Sequence, residues 1–213
     1  MSFRIFIHGL ESSNQGTKSV FFREKYPDML IPYFTGPLDE RMRDLRGVLI
    51  RKRGVILVGS SFGGLMATIF AVENEERVDR LILLAPAINL VEFADYVKKP
   101  ECPDLPRRDE WPCGFGSDRP PNANGFFHRR SPVLPHGVLH GSKSISVPVW
   151  IYHGRSDEVI PLNDVERVGR SVFRDLSFHA VEDDHYLHKT FRRLDWDRLL
   201  SPECPPRDAH FLS

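Results

Sequence analysis

The chain has 213 residues, 29 basic side chains balanced by 29 acidic ones, 41% hydrophobic residues and three cysteines. This length suits one domain that buries roughly 70% of its unfolded surface without staples. The balanced charge excludes nucleic acid or an anionic membrane as an evident partner, and no apolar stretch approaches the roughly 20 residues that span a bilayer.

Phe3 to Ile7 alternates and stops at His8-Gly9, as a strand ending in a turn does. It begins almost at the first residue, with no basic region and apolar run ahead of it, so no signal peptide is expected. Gly16 to Lys25 reads as a short helix, and Met29 to Tyr33 as a second strand whose Pro32 suits an edge position. From Leu38 to about Lys52, Leu38, Met42, Leu45 and Leu49 recur at spacings of three and four among charged residues, predicting a helix laid on a sheet. Val55 to Val58 is an apolar run bounded by glycines, the mark of a parallel strand buried on both faces. A helix is expected from Phe62 to about Glu73, and another buried strand from Leu81 to Leu84.

The segment 89–146 differs. It carries eight of the chain's prolines between Pro100 and Pro135 and has poor periodicity beyond a short helix at Leu90 to Lys98. A stretch this long within a compact domain is usually functional or a linker. Trp111, Phe115, Phe126 and Phe127 could line an acyl pocket or simply anchor the loop. Cys102, Cys113 and Cys204 are an odd, widely spaced set. They lack metal-ligand spacing and fit free thiols in a reducing cytoplasm better than a disulfide framework, and Cys102 and Cys113 read as inert. The rhythm then resumes with a strand at Val147 to Tyr152, a helix at Asn163 to Phe173, a strand at Leu176 to Val181, and a closing amphipathic helix from Tyr186 to Leu200. Strands alternating with helices predict a three-layer α/β/α sandwich on a parallel sheet, with ligands beyond the carboxyl ends of the strands.

Suggestive chemistry gathers at that edge. Gly59-Ser60-Ser61-Phe62-Gly63 is G-x-S-x-G between a strand and a helix, the setting in which a sharp turn lifts the central hydroxyl above the sheet. Ser61 is the candidate nucleophile; Ser60, at the second motif position, should point elsewhere. A serine hydroxyl needs a base during attack. An imidazole can take and return that proton, and a carboxylate on its far nitrogen fixes the tautomer. His185 follows the strand at 176–181, and Asp157 follows the strand at 147–152, so serine, acid and base occur in the order Ser, Asp, His. His188, one helical turn beyond His185, reads as a surface residue. His179 reads as a core or sheet-face residue, and His8 and His153 as strand-end residues that shape loops. Asp183 and Asp184 suit a cap on the following helix better than a metal site. The amides of Phe62 and Leu10 are the candidate oxyanion donors.

The elbow 59–63, the His8-Gly9 turn, the run His153-Gly154-x-x-Asp157-x-x-Ile160-Pro161 and the loop ending Asp184-His185 together resemble the α/β-hydrolase superfamily. The resemblance is to its small bacterial esterases and thioesterases and spans essentially the whole chain. It implies about six parallel strands, since the antiparallel pair that usually precedes the His-Gly strand is missing. Met29–Tyr33 would lie outside Phe3–Ile7, and the remaining strands would follow in chain order on the other side. It also makes 89–146 a partial lid, and makes the loop after Leu84 a second possible source of the acid, from Asn89, Glu92 or Asp95. The activity implied is serine hydrolysis of a small-molecule carboxylic ester or thioester through an acyl-enzyme, with no cofactor or metal, in a monomer or homodimer. An amidase, a C–C hydrolase or a haloperoxidase-like activity on the same triad, or a non-catalytic binding protein, are the alternatives. Serine at the nucleophile position speaks against a haloalkane dehalogenase.

Overall fold

A computed structural model describes residues 2–89 and 144–201. The apolar runs form strands β1 (Phe3–Ile7), β2 (Val55–Ser60), β3 (Val78–Leu84), β4 (Val149–Gly154) and β5 (Leu176–Val181). They pair in parallel in chain order, so that Ile5 faces Leu57, Leu57 faces Leu81, Leu81 faces Val149 and Val149 faces Leu176. Because successive side chains leave a strand on opposite faces, this register sorts the sheet into two cores. Ile5, Leu57, Leu83 and Ile151 meet helices α2 (Leu38–Val48), α3 (Phe62–Glu73) and α4 (Leu162–Val172) on one face. Phe6, Val58, Ile82 and Trp150 meet α1 (Thr17–Lys25) and the short α5 (His188–Arg193) and α6 (Trp196–Leu199) on the other. The result is the three-layer α/β/α sandwich. Each fully buried aliphatic of these strands contributes about 1.5–3 kcal/mol, which is why the central strands read as unbroken apolar runs.

Three elements depart from expectation for identifiable reasons. Met29–Tyr33 makes only one parallel bridge, Leu30 against Ile5. Phe6 N donates to Leu30 O and Leu30 N to Arg4 O, after which Pro32 has no N–H with which to extend the ladder. The described sheet therefore has five strands where about six were expected, with the sixth reduced to this bridge at its expected edge. Helix α2 ends at Val48, short of Lys52. The guanidinium of Arg77 takes the carbonyls of Leu49 and Lys52 into its hydrogen bonds, a partner that sequence spacing does not reveal. The closing helix is two short helices. Leu194 is extended, and Asp195 starts α6 by accepting the Arg198 amide. The helix expected at Leu90–Lys98, the aromatic residues of the insertion, Glu92, Asp95 and all three cysteines lie outside the described residues. Among the described residues no helix is long and apolar enough to cross a membrane.

Candidate active site

Strand β2 runs out at Ser60, and the next residue turns sharply. Ser61 has φ 54° and ψ −119°, a conformation that costs an L-residue free energy and persists only where its surroundings enforce it. The enforcement is visible. Ser61 N donates to Leu84 O at the end of β3 (2.9 Å), and Ser61 O accepts from Ala87 N (3.0 Å) and from the Gly64 amide of α3 (2.9 Å). The flanking glycines permit it, since a Cβ at Gly63 would overlap the carbonyl oxygens of Ile7 and His8, and one at Gly59 would lie 2.6 Å from Gly63 O. Ser60 remains in the strand opposite Leu84, so the two adjacent serines differ in backbone conformation.

Ser61 Oγ is 3.1 Å from His185 Nε2, and His185 Nδ1 is 2.8 Å from Asp157 Oδ2. Since the carboxylate can only accept, Nδ1 carries the proton and the Nε2 lone pair faces the hydroxyl. The Asp157 side chain is fully buried. Its Oδ1 accepts from the amides of Val159 (2.9 Å) and Ile160 (2.8 Å), which fixes the carboxylate within its own loop. Burial is the largest single influence on this group and opposes ionisation. The hydrogen bonds from His185 and the Ile160 amide, with the charges of His185 and His153, together hold its pKa below 3.8.

His153 does more than shape the loop. Its Nε2–H lies 2.9 Å from Ile160 O and 3.2 Å from Asp157 Oδ2 in a fully buried setting, and burial lowers the pKa of the ring. It thus braces both the acid and the residue whose amide binds it. The signal in the sequence is the spacing His153–Asp157–Ile160, which places the strand-end histidine, the acid and the residue whose amide binds it in one short segment.

The histidine loop is built from its own backbone. Asp183 Oδ2 accepts from the amides of Lys189 (3.0 Å) and Thr190 (2.8 Å), and Oδ1 from Asp184 N (3.0 Å). Asp184 Oδ1 accepts from the Tyr186 amide (2.9 Å). Asp183 therefore caps the first turn of α5, as the sequence suggested. Gly154 lets the acid loop press against this one, for a Cβ there would overlap the carbonyl oxygens of Asp183 and Asp184. Lys18 Nζ reaches in from α1 to Tyr186 O (2.6 Å), and burial lowers its pKa to about 8 against the attraction of Asp183 and Asp184.

On the opposite side of Ser61, a Cβ at Gly9 would lie 3.3 Å from Ser61 Cβ and 3.9 Å from its Oγ, so the His8-Gly9-Leu10 turn abuts the serine. His8 holds that turn. Its Nδ1–H donates to Gly9 O (2.8 Å), and its Nε2 accepts from Phe34 N (3.1 Å). Among the described residues neither the Leu10 nor the Phe62 amide donates to a backbone carbonyl.

No protein-family model matches the chain, and no curated protein matches it significantly. Solved structures do. The alpha/beta hydrolase domain-containing protein 10 of mouse is 23% identical, with a TM-score of 0.56, over 86% of this chain and 81% of that one. Est1E of Butyrivibrio proteoclasticus, bound to ferulic acid, is 16% identical with a TM-score of 0.60 over 90% and 84%. A monoacylglycerol lipase of Paleococcus ferrophilus is 15% identical with a TM-score of 0.55 over 89% and 90%. This chain has the α/β-hydrolase fold.

Within that fold the remaining candidates separate. His188 is exposed and stacks on Tyr186. His179 is buried and stacks on Tyr152, with ring centroids 4.8 Å apart. Asn89 is buried, and the group on His185 Nδ1 is Asp157. Among the described residues no cluster of three or more His, Cys, Asp or Glu could hold a metal ion.

Proposed function

We propose that this chain is a serine hydrolase that cleaves a small-molecule carboxylic ester or thioester through an acyl-enzyme. The observation that carries the proposal is the continuous relay from Ser61 Oγ through His185 to the buried Asp157, set on an elbow at positive φ. In the first half-reaction His185 Nε2 takes the Ser61 proton as Oγ attacks the carbonyl carbon. The carbonyl oxygen becomes an oxyanion held by the Leu10 and Phe62 amides, each of which contributes about 3 kcal/mol to such a transition state. Collapse expels the alkoxide or thiolate, which takes the proton from His185. Water, deprotonated by the same nitrogen, then releases the acid and restores Ser61. Asp157 orients the ring and stabilises the imidazolium that forms at each step.

The fluorophosphonate test is direct. The protein should label with a fluorophosphonate probe, and labelling should vanish in Ser61→Ala. A series of p-nitrophenyl esters of graded chain length, with acyl-CoA thioesters beside them, then ranks ester against thioester. A folded wild type that takes no label would overturn the hydrolase reading in favour of a binding protein on the same fold.

A further inference from the structure

The loop 31–37 follows the Leu30 bridge, which pairs in parallel with β1. That loop and the first turn of α2 therefore lie at the carboxyl edge of the sheet, beside the His8-Gly9-Leu10 turn. Arg41 sits in this turn and points inward, 95% buried, its guanidinium carbon 5.6 Å from the centre of the Phe62 ring, next to the nucleophile. Nε donates to Gly36 O (2.9 Å), which fixes the plane of the fork, while Nη1 is buried and meets no acceptor among the described residues. Among the described residues no carboxylate pairs with it, and the ionisable group that acts on it is the phenol of Tyr33. Its other close neighbour, His8, brings no negative charge either. A buried guanidinium without a counter-anion is costly, and a planar fork with a free arm is the group best suited to a carboxylate.

We propose that Arg41 binds a carboxylate on the substrate, so that the preferred ester is an anionic one with its carboxylate a few bonds from the scissile carbonyl. This rests on the hydrolase reading above and adds the substrate's charge to it. A carboxylate on the acyl side or on the alcohol side would satisfy the same fork, and Arg41 acts as a specificity determinant in either case.

The test compares p-nitrophenyl hemiglutarate with p-nitrophenyl valerate for the acyl side, and 3-carboxyphenyl butyrate with 3-carbamoylphenyl butyrate for the alcohol side. In at least one pair the wild type should favour the anionic ester in kcat/KM by on the order of tenfold or more. Arg41→Met should collapse that ratio towards one, and Arg41→Lys should restore part of it. The favoured pair identifies the side that carries the charge. Should either variant fail to fold, glutarate should still slow fluorophosphonate labelling of the wild type where glutaramide does not. Labelling of Ser61 with no anionic preference in either pair, an unchanged ratio in Arg41→Met, or no protection by glutarate would each overturn the Arg41 assignment and leave the hydrolase standing. Absence of labelling would remove both.

Discussion

The His8 imidazole offers a quantitative check on how the turn beside Ser61 is held. Burial lowers its pKa from 6.5 to about 4, against the help of the Gly9 carbonyl and with a further push from Arg41. The ring is 1% exposed, so little solvent screens these influences. The unfolded chain binds a proton at this site as pH falls below 6.5, while the folded protein binds none until about 4. Stability is therefore full above 6.5 and declines on acidification through this window. The two pKa values give a loss of about 2 kcal/mol by about pH 5 and about 3 kcal/mol by about pH 4. His8→Gln keeps an acceptor for Phe34 N but does not titrate. Urea unfolding of both proteins should then show the wild type losing about 2 kcal/mol relative to the variant between neutral pH and about pH 5. Contributions from His153 and the carboxylates are common to both proteins and cancel in the difference. Parallel pH profiles would refute the reasoning, because they would mean that His8 titrates alike in the folded and unfolded chains.

Gly154→Ala should cost about 1–3 kcal/mol by overpacking the acid loop against the Asp183 and Asp184 carbonyls, and should lower turnover because the displaced segment carries His185. Unfolding within error of wild type would show that the two loops can part without loss. Asp183 has a lowered pKa although burial opposes it, because the Thr190, Asp184 and Lys189 amides favour the carboxylate. Its contribution is present above 3.8 and lost as pH falls through the lower folded value. Asp183→Asn should destabilise the protein by about 1 kcal/mol at neutral pH and flatten the acid limb of the stability profile. An acid limb as steep as in wild type would remove Asp183 from that account.

Most of the fold was legible because it is written in periods. The runs at Val55, Leu81 and Val149 are apolar on both faces, as only strands sandwiched between two helical layers can be, and Met42 and Leu45 recur at helical spacing. The elements that went astray are those settled by distant partners. Arg77 closes α2 from 25 and more residues away. The strand expected at Met29–Tyr33 shrank to a bridge because pairing needs a donor at every second residue, and Pro32 lacks one. The closing helix broke because Asp195 offered the chain a new cap.

The candidate site divides along the same line. Sequence alone nominated Ser61, Asp157 and His185, since a glycine-flanked serine after an apolar strand and polar loops after later strands must share the carboxyl edge of a parallel sheet. What sequence could not supply is distance. That His185 reaches both Ser61 and Asp157, that His153 touches the acid as well as its loop, and that Arg41 lies over Phe62 with no counter-charge among the described residues all depend on contacts between residues far apart in the chain. Local periodicity fixes which face a side chain leaves by, whereas the partner it meets is decided only when the layers close.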